Sequence, residues 1–187
     1  EFVDIEGKYL GIIPDYFNLI GERLGIKIRP LMELAWKQAV DGVRNKTVDI
    51  LSGLSKTKER DEFINFTRPY LEYPYVFVTR NASPAIDGHA DLLGKTMAFP
   101  EGYSDIEETK GKFPSIKILE VKNMLEALRA VATGKADATQ GNLAVLSYLI
   151  KNNYLTNLKI AGEASVEGSN LAIGVRKDWP EFASILD

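Results

Sequence analysis

The chain has 187 residues, 45% of them apolar and 26% charged, with a net charge of -3, a single histidine and no cysteine. That length serves one domain or two small ones with a real core. The composition excludes disulfides, thiolate metal sites and cysteine nucleophiles, and its charge offers no basic surface for nucleic acid or an anionic membrane.

No apolar run approaches the ~20 residues that span a bilayer. The first residues, EFVDIEGKYLG, begin in mid-phrase with no charged-then-apolar leader before Glu1, and the last, FASILD, form an uncapped helical pattern. Both ends are therefore expected to be cut from a longer protein. In IIPDYFNLIGERLG, Ile13, Tyr16, Phe17, Ile20 and Leu24 share a helical stripe, with Pro14 near its start and Gly25 at the C-cap. IKIRPL alternates like a strand, and AWKQAVDGVRN repeats the helical stripe through Trp36, Ala39, Val40 and Val43 before the strand VDIL. Helix and strand in alternation predict an α/β layer with parallel strands.

YPYVFVTR, residues 73–80, reads as a longer strand, and NASPAIDG after it is a linker by its Asn, Ser, Pro and Gly. The rhythm then restarts: strand KTMAFPEG, a helix from Ser104, strand IKILEV, helix NMLEALRAVATG, strand ADATQG, helix NLAVLSYLIKNN and strand LKIAG. A last strand NLAIGV and helix WPEFASILD are too short for a third domain and are expected to return to the first unit. Both α/β units contain a strand whose carboxyl end opens into a small, polar turn, the place where open α/β sheets receive ligands.

In the first unit that turn is SGLSKTKER, which holds Ser52, Gly53, Ser55, Thr57 and Arg60. Gly53 allows close approach of backbone to a ligand, the hydroxyls add uncharged donors, and the Arg60 fork matches a carboxylate. A plain surface turn, with Arg60 paired to Glu59, Asp61 or Glu62, fits the same residues. A phosphate loop fits less well, because the GxxxxGK[ST] spacing is missing.

In the second unit Ser104 reads as an N-cap with Glu107 completing a capping box, while Tyr103, Ser104 and Asp105 occupy a helix start that can also meet an anion. Asn142 likewise reads as an N-cap. Trp36 is either core or a ring that stacks on a ligand. His89, in the loop DGHAD, is expected to be solvated and has no partners for a triad or a metal site. Glu107 and Glu108 read as helix surface rather than acid/base machinery. No catalytic residue, metal site or cofactor is predicted.

At VDILSGLSKTKERDEFINFTRPYLEYPYVFVTR the chain resembles the family 3 periplasmic solute-binding proteins, a group of bilobal amino-acid-binding receptors. The likeness continues through DLLGKTMAFPEGYS, GKADATQGNLAVLSYLI and NLAIGVRKDWPEF, nearly the whole chain. The resemblance implies a two-lobed flytrap of α/β lobes, each a mixed, mostly parallel sheet flanked by helices, with its terminal elements truncated. Lobe 1 would comprise 1–79 plus 170–187 and lobe 2 would comprise 80–169, with crossings near 79–82 and 166–171 and a small molecule bound between the lobes.

Carried over by position, Arg60 matches the arginine that clamps the ligand's α-carboxylate, and Ser52, Gly53 and Ser55 match the polar loop beside it. Trp36 matches a ligand-packing aromatic, and Ser104, next to Tyr103, matches the lobe 2 hydroxyl and helix start that face the carboxylate. Asn142 stands where the family usually has the acid that holds the ligand's ammonium; an amide cannot neutralise that charge. The family's first strand and its ligand-facing aromatic would precede Glu1.

The wording of lobe 2 is similar to sensor domains fused to bacterial histidine kinases. The resemblance thus implies a periplasmic sensing domain, tethered to the membrane through its parent and non-enzymatic itself, that binds an amino acid or small carboxylate. A homodimer is the candidate assembly of the full receptor. The alternatives are a free receptor serving an ABC transporter and, further off, a dehydratase or lytic enzyme on the same fold.

Overall fold

The computed structural model describes residues 2–3 and 9–187, with residues 2–3 and 165–169 described by backbone alone. The chain divides into two units: 1–34, 38–70 and 171–187 form the first, and 35–37 with 71–170 form the second. The return crossing expected at 166–171 falls in a stretch whose side chains are mostly outside the description.

The first unit opens with a short antiparallel pair, β1 (Phe2–Val3) and β2 (Tyr9–Leu10). Helix α1 (Ile12–Leu24) follows and ends at Gly25, whose φ of 65° is the left-handed cap that glycine adopts at least cost. Of the expected stripe, Phe17 is buried and Ile13 and Ile20 pack beside it, whereas Tyr16 is 41% exposed and Leu24 is also exposed. The buried line is therefore narrower than the sequence pattern. IKIRPL forms no strand: residues 26–31 are irregular, Pro30 has no amide to give a ladder, and of its isoleucines Ile28 reaches the core.

Helix α2 (Trp36–Arg44) buries Val43, and strand β3 (Ile50–Leu54) runs into the one-turn helix α3 (Lys58–Asp61) and strand β4 (Ile64–Phe66). In the second unit, β5 (Leu71–Arg80) is followed by β6 (Thr96–Pro100), α4 (Ser104–Lys112), β7 (Lys117–Val121), α5 (Met124–Ala132), β8 (Ala138–Asn142) and α6 (Leu143–Asn152). A 3-10 turn at His89–Leu92 precedes β6. The long strand β9 (Leu158–Arg176), expected as two strands, is continuous, and α7 (Pro180–Leu186) ends the chain.

The carboxyl end of β9 belongs to the first unit, where β3 and β4 both pair with it antiparallel, at Ile50↔Val175, Leu51↔Gly174 and Phe66↔Gly174. Ile173 and Val175 of β9 join Phe17 of α1 and Phe182 and Ala183 of α7 in that unit's core. Strand and final helix thus return to the first unit, where they supply four of the five buried residues of this cluster, Ile173, Val175, Phe182 and Ala183. Gly174 is enforced by packing, since a Cβ there would sit 2.8 Å from Leu54 and 2.9 Å from Ile64.

In the second unit β6 runs parallel to both β7 and β8, while β8 pairs antiparallel with β5 at Tyr75↔Asn142, Phe77↔Gln140 and Thr79↔Ala138. Alternation sorts these strands onto two faces. Val76, Val78 and Ala98 face a core built with Leu128, Val131 and Leu146 of α5 and α6. Phe77, Met97, Phe99 and Ala138 face the opposite core, under Ile106 of α4.

Gly162 is the tightest point of the second unit: a Cβ there would lie 1.8 Å from the carbonyl oxygen of Ile86, a backbone atom held by the Ile86 N–H to Ala161 bond of 2.9 Å. Gly162→Ala is expected to destabilise the protein by roughly 3 kcal/mol or more, because backbone on both sides must shift. Chemical denaturation measures this, and a loss under about 1 kcal/mol would show that the two segments separate freely.

Candidate functional site

In the first unit the site residues gather where β3 loses its ladder. The β3–β9 register shifts between Leu51 and Leu54, so Ser52 and Gly53 occupy an irregularity of the kind that re-aims side chains and backbone. The Tyr70 hydroxyl donates to the Ser52 carbonyl at 2.5 Å, and Tyr70 packs on Tyr16 with ring centroids 4.8 Å apart. A Cβ on Gly53 would lie 3.2 Å from Ile13 and 3.5 Å from the Tyr70 hydroxyl oxygen, so glycine keeps this backbone close to its neighbours.

Thr57 caps α3 by accepting the Arg60 amide at 3.2 Å. The Arg60 side chain is only 7% exposed, and its Nη1 donates to the Ser55 carbonyl at 3.0 Å. Its acidic neighbours have other partners: Glu59 bonds Arg44 at 2.9 Å and Asp61 bonds Lys56 at 3.0 Å. A guanidinium so nearly buried is not the solvated surface arginine of the plain-turn reading. The structure thus brings Ser52, Gly53, Ser55 and Arg60 into one neighbourhood.

Trp36 lies at the head of α2, where residues 35–37 group with the second unit. Its indole Nε1 donates to the Gly102 carbonyl at 3.2 Å, and its ring meets Tyr103 edge-on at 6.1 Å. The ring is half-buried and hydrogen-bonded, so a purely core role does not describe it. Ser104 is a correction: Tyr103 occupies the N-cap of α4 without a side-chain cap bond, and Ser104 is already the first helical residue. The capping-box spelling is present, but the helix begins one residue earlier than that pattern requires.

Asn142 does cap α6, and its carboxamide oxygen accepts from the amides of Ala144 at 2.9 Å and Val145 at 3.3 Å. Because Asn142 and Gln140 are two apart on β8, they share a face with Tyr75 and Phe77, their ladder partners on β5. On that face lies a polar relay the sequence did not disclose. Gln140, 5% exposed, donates from Nε2 to Asp105 at 2.7 Å and accepts from His89 Nε2 at 2.8 Å.

Tyr75 completes the relay with a hydrogen bond to Asp105. His89 is accordingly not a solvated loop histidine: it stacks on Phe113 at 4.7 Å and meets Phe77 edge-on at 5.0 Å. A single clue was available in the sequence, a glutamine two residues before Asn142 in a strand of otherwise small residues.

Burial raises the Asp105 carboxyl above its ordinary range, against the lowering effect of its bonds to Gln140 and Tyr75, with Glu108 adding a small push upward. Burial also holds the Tyr75 hydroxyl well above its usual range, so it remains a donor. A raised carboxyl pKa means that the native state binds this proton more tightly than the unfolded chain. Its stabilising contribution is complete below the unfolded carboxylate value and is lost as pH rises through the native one. Asp105→Asn removes that titration while keeping an oxygen for Gln140, so its thermal stability is expected to equal or exceed wild type at neutral pH and to change less between about pH 4 and pH 7. Parallel melting profiles for the two proteins would contradict this.

The family model for bacterial extracellular solute-binding proteins, family 3, matches residues 1–187. Virulence sensor protein BvgS of Bordetella bronchiseptica is 25% identical over 180 residues, a match that covers 94% of this chain and 14% of that protein. A probable amino-acid ABC transporter-binding protein of Haemophilus influenzae is 29% identical over 162 residues, covering 86% of this chain and 62% of its own length. Among solved structures, a histidine kinase sensor domain with similarity to periplasmic binding proteins superposes with a TM-score of 0.87 at 25% identity, covering 99% of this chain and 80% of that one. The chain spans a small part of the sensor relative and under two thirds of the transporter-binding one. With the family model matched along its whole length, the chain belongs to the bacterial extracellular solute-binding proteins, family 3.

Proposed function

We propose that this chain is the periplasmic ligand-sensing domain of a membrane-bound signalling receptor, a sensor histidine kinase, and that it binds a small carboxylate or amino-acid-like molecule. The observation that carries the binding half is Arg60: a nearly buried guanidinium, held at the head of α3 by the Ser55 carbonyl, beside the irregular, hydroxyl-bearing end of β3. Its planar fork matches a carboxylate. Ser52, Gly53 and Ser55 would supply the remaining contacts beside Arg60, and Trp36, Tyr103, Ser104 and Asn142 are the candidate ligand-facing residues of the second unit.

The signalling half is supported by the likeness to sensor proteins that are several times longer than this chain. No helix among the described residues is long and apolar enough to cross a membrane, so the tether would lie in the parent protein. A ligand that binds one conformation of the domain more tightly than another shifts the population toward it, and that shift would be the signal. No catalytic step is assigned to the domain.

A thermal-shift screen of amino acids and small carboxylates identifies ligands, because whatever binds only the folded state raises its melting temperature. For any ligand so found, Arg60→Lys is expected to weaken calorimetric affinity by about tenfold or more, the loss of one charge-assisted bond of the fork. Unchanged affinity sinks the site assignment. A parent gene without a transmembrane segment or a signalling domain sinks the receptor assignment.

A further inference from the structure

Helix α4 is lightly anchored to the second unit. Ile106 and Thr109 are its buried residues, and an element with so few apolar contacts opens at the low end of a protein's stability range. His89, in the 3-10 turn before β6, touches this helix at both ends. Its ring stacks on Phe113, the C-cap of α4, with planes 8° apart and centroids 4.7 Å apart. Through Gln140 of β8 it also reaches Asp105 in the first turn.

The polarity of this connection is fixed. Gln140 gives its Nε2 to Asp105, so its Oε1 faces His89 and the imidazole Nε2 is the donor. The basic atom is then Nδ1, which has no hydrogen bond among the described residues and belongs to a half-buried ring. A proton taken up there breaks no bond. It makes Nε2–H a charge-assisted donor, polarises the Gln140 amide toward Asp105 and places a cation on the face of Phe113.

The surroundings admit that charge. Phe77 of β5, Phe113 and Gln140 face His89 and carry none of their own, and on its own segment Asp91 accepts the Asp87 amide at 2.9 Å. Asp105 is faced by Tyr75 of β5, by Gln140 and, along α4, by Glu108, whose carboxylate pairs with Lys112. Tyr103 acts on Tyr75.

We infer that His89 is an acid-operated clamp on α4: uptake of a proton at Nδ1 tightens the second unit's hold on both ends of the helix, and its release loosens them. Histidine is the side chain suited to this, because its charge changes between about pH 5 and pH 8. The clamp lies wholly within the second unit and is independent of any ligand.

The test is hydrogen exchange of the α4 amides in the whole chain at about pH 5.5 and about pH 7.5, expressed as protection over the intrinsic rate at each pH. Wild-type protection is expected to rise at least about threefold on acidification. In His89→Phe, which keeps a ring between Phe77 and Phe113 but takes up no proton, it is expected to change less than about 1.5-fold. Should that variant fail to fold, His89→Gln replaces it, since its amide nitrogen reaches the Nε2 position and cannot charge.

Asp105→Asn removes the other titrating end and keeps an oxygen for Gln140, so it is expected to retain a rise. A rise equal in wild type and in the His89 variant assigns the response to other groups and overturns the clamp. A rise abolished by Asp105→Asn makes Asp105 the sensor and overturns it as well. So does wild-type protection that stays level or falls in acid.

Discussion

The side-chain alternation of β8 governs the second unit. The strand is held antiparallel to β5 and parallel to β6, so its register is pinned from two sides and its residues cannot change face. Ala138, Gln140 and Asn142 consequently share one face with Tyr75 and Phe77. From that placement follow the apolar core under α4, the relay through Gln140 to Asp105 and His89, and the capping of α6 by Asn142. A slip of one residue would bury Gly141 where Gln140 stands and leave Asp105 in the sheet without its amide donor.

The first unit rests on a different constraint, the pairing of β3 and β4 with the end of β9. Gly174 admits Leu54 and Ile64 from the two flanking strands, and the register shift in β3 frees Ser52 and Gly53 from a regular ladder. The short helix that follows delivers Arg60 inward, while its neighbours Glu59 and Asp61 remain outside on Arg44 and Lys56. Those outer pairs are largely exposed and contribute little to stability, whereas Arg60 is nearly buried with its Nη1 on the Ser55 carbonyl.

Much of this was legible in the residues. The helices were readable from stripes and caps, and Asn142 was readable as a cap because an amide before an apolar helical run has few other uses. Other readings failed for identifiable reasons. IKIRPL has the alternation of a strand but no partner, and alternation by itself does not supply one. LKIAG and NLAIGV read as two strands, yet extended backbone runs through from Leu158 to Arg176 as one. Ser104 and Glu107 have capping-box spacing, which describes a pattern of side chains and not where the backbone enters the helix. His89 was placed in water since its partners, Gln140 and Phe113, lie 51 and 24 positions away.

By itself the sequence determined the α/β class, most element positions, the family resemblance and the residue types offered to a ligand: an arginine, several hydroxyls, a tryptophan and an asparagine in place of an acid. These are local or compositional properties, set by periodicity and by the chemistry of single side chains. Only the tertiary structure decided what each of them has left to give. It buried the Arg60 guanidinium, turned Asp105 away onto Gln140 and Tyr75, and spent the Asn142 oxygen on two backbone amides. Hydrogen-bonding capacity is finite and shared between neighbours, and the neighbours are chosen by the fold.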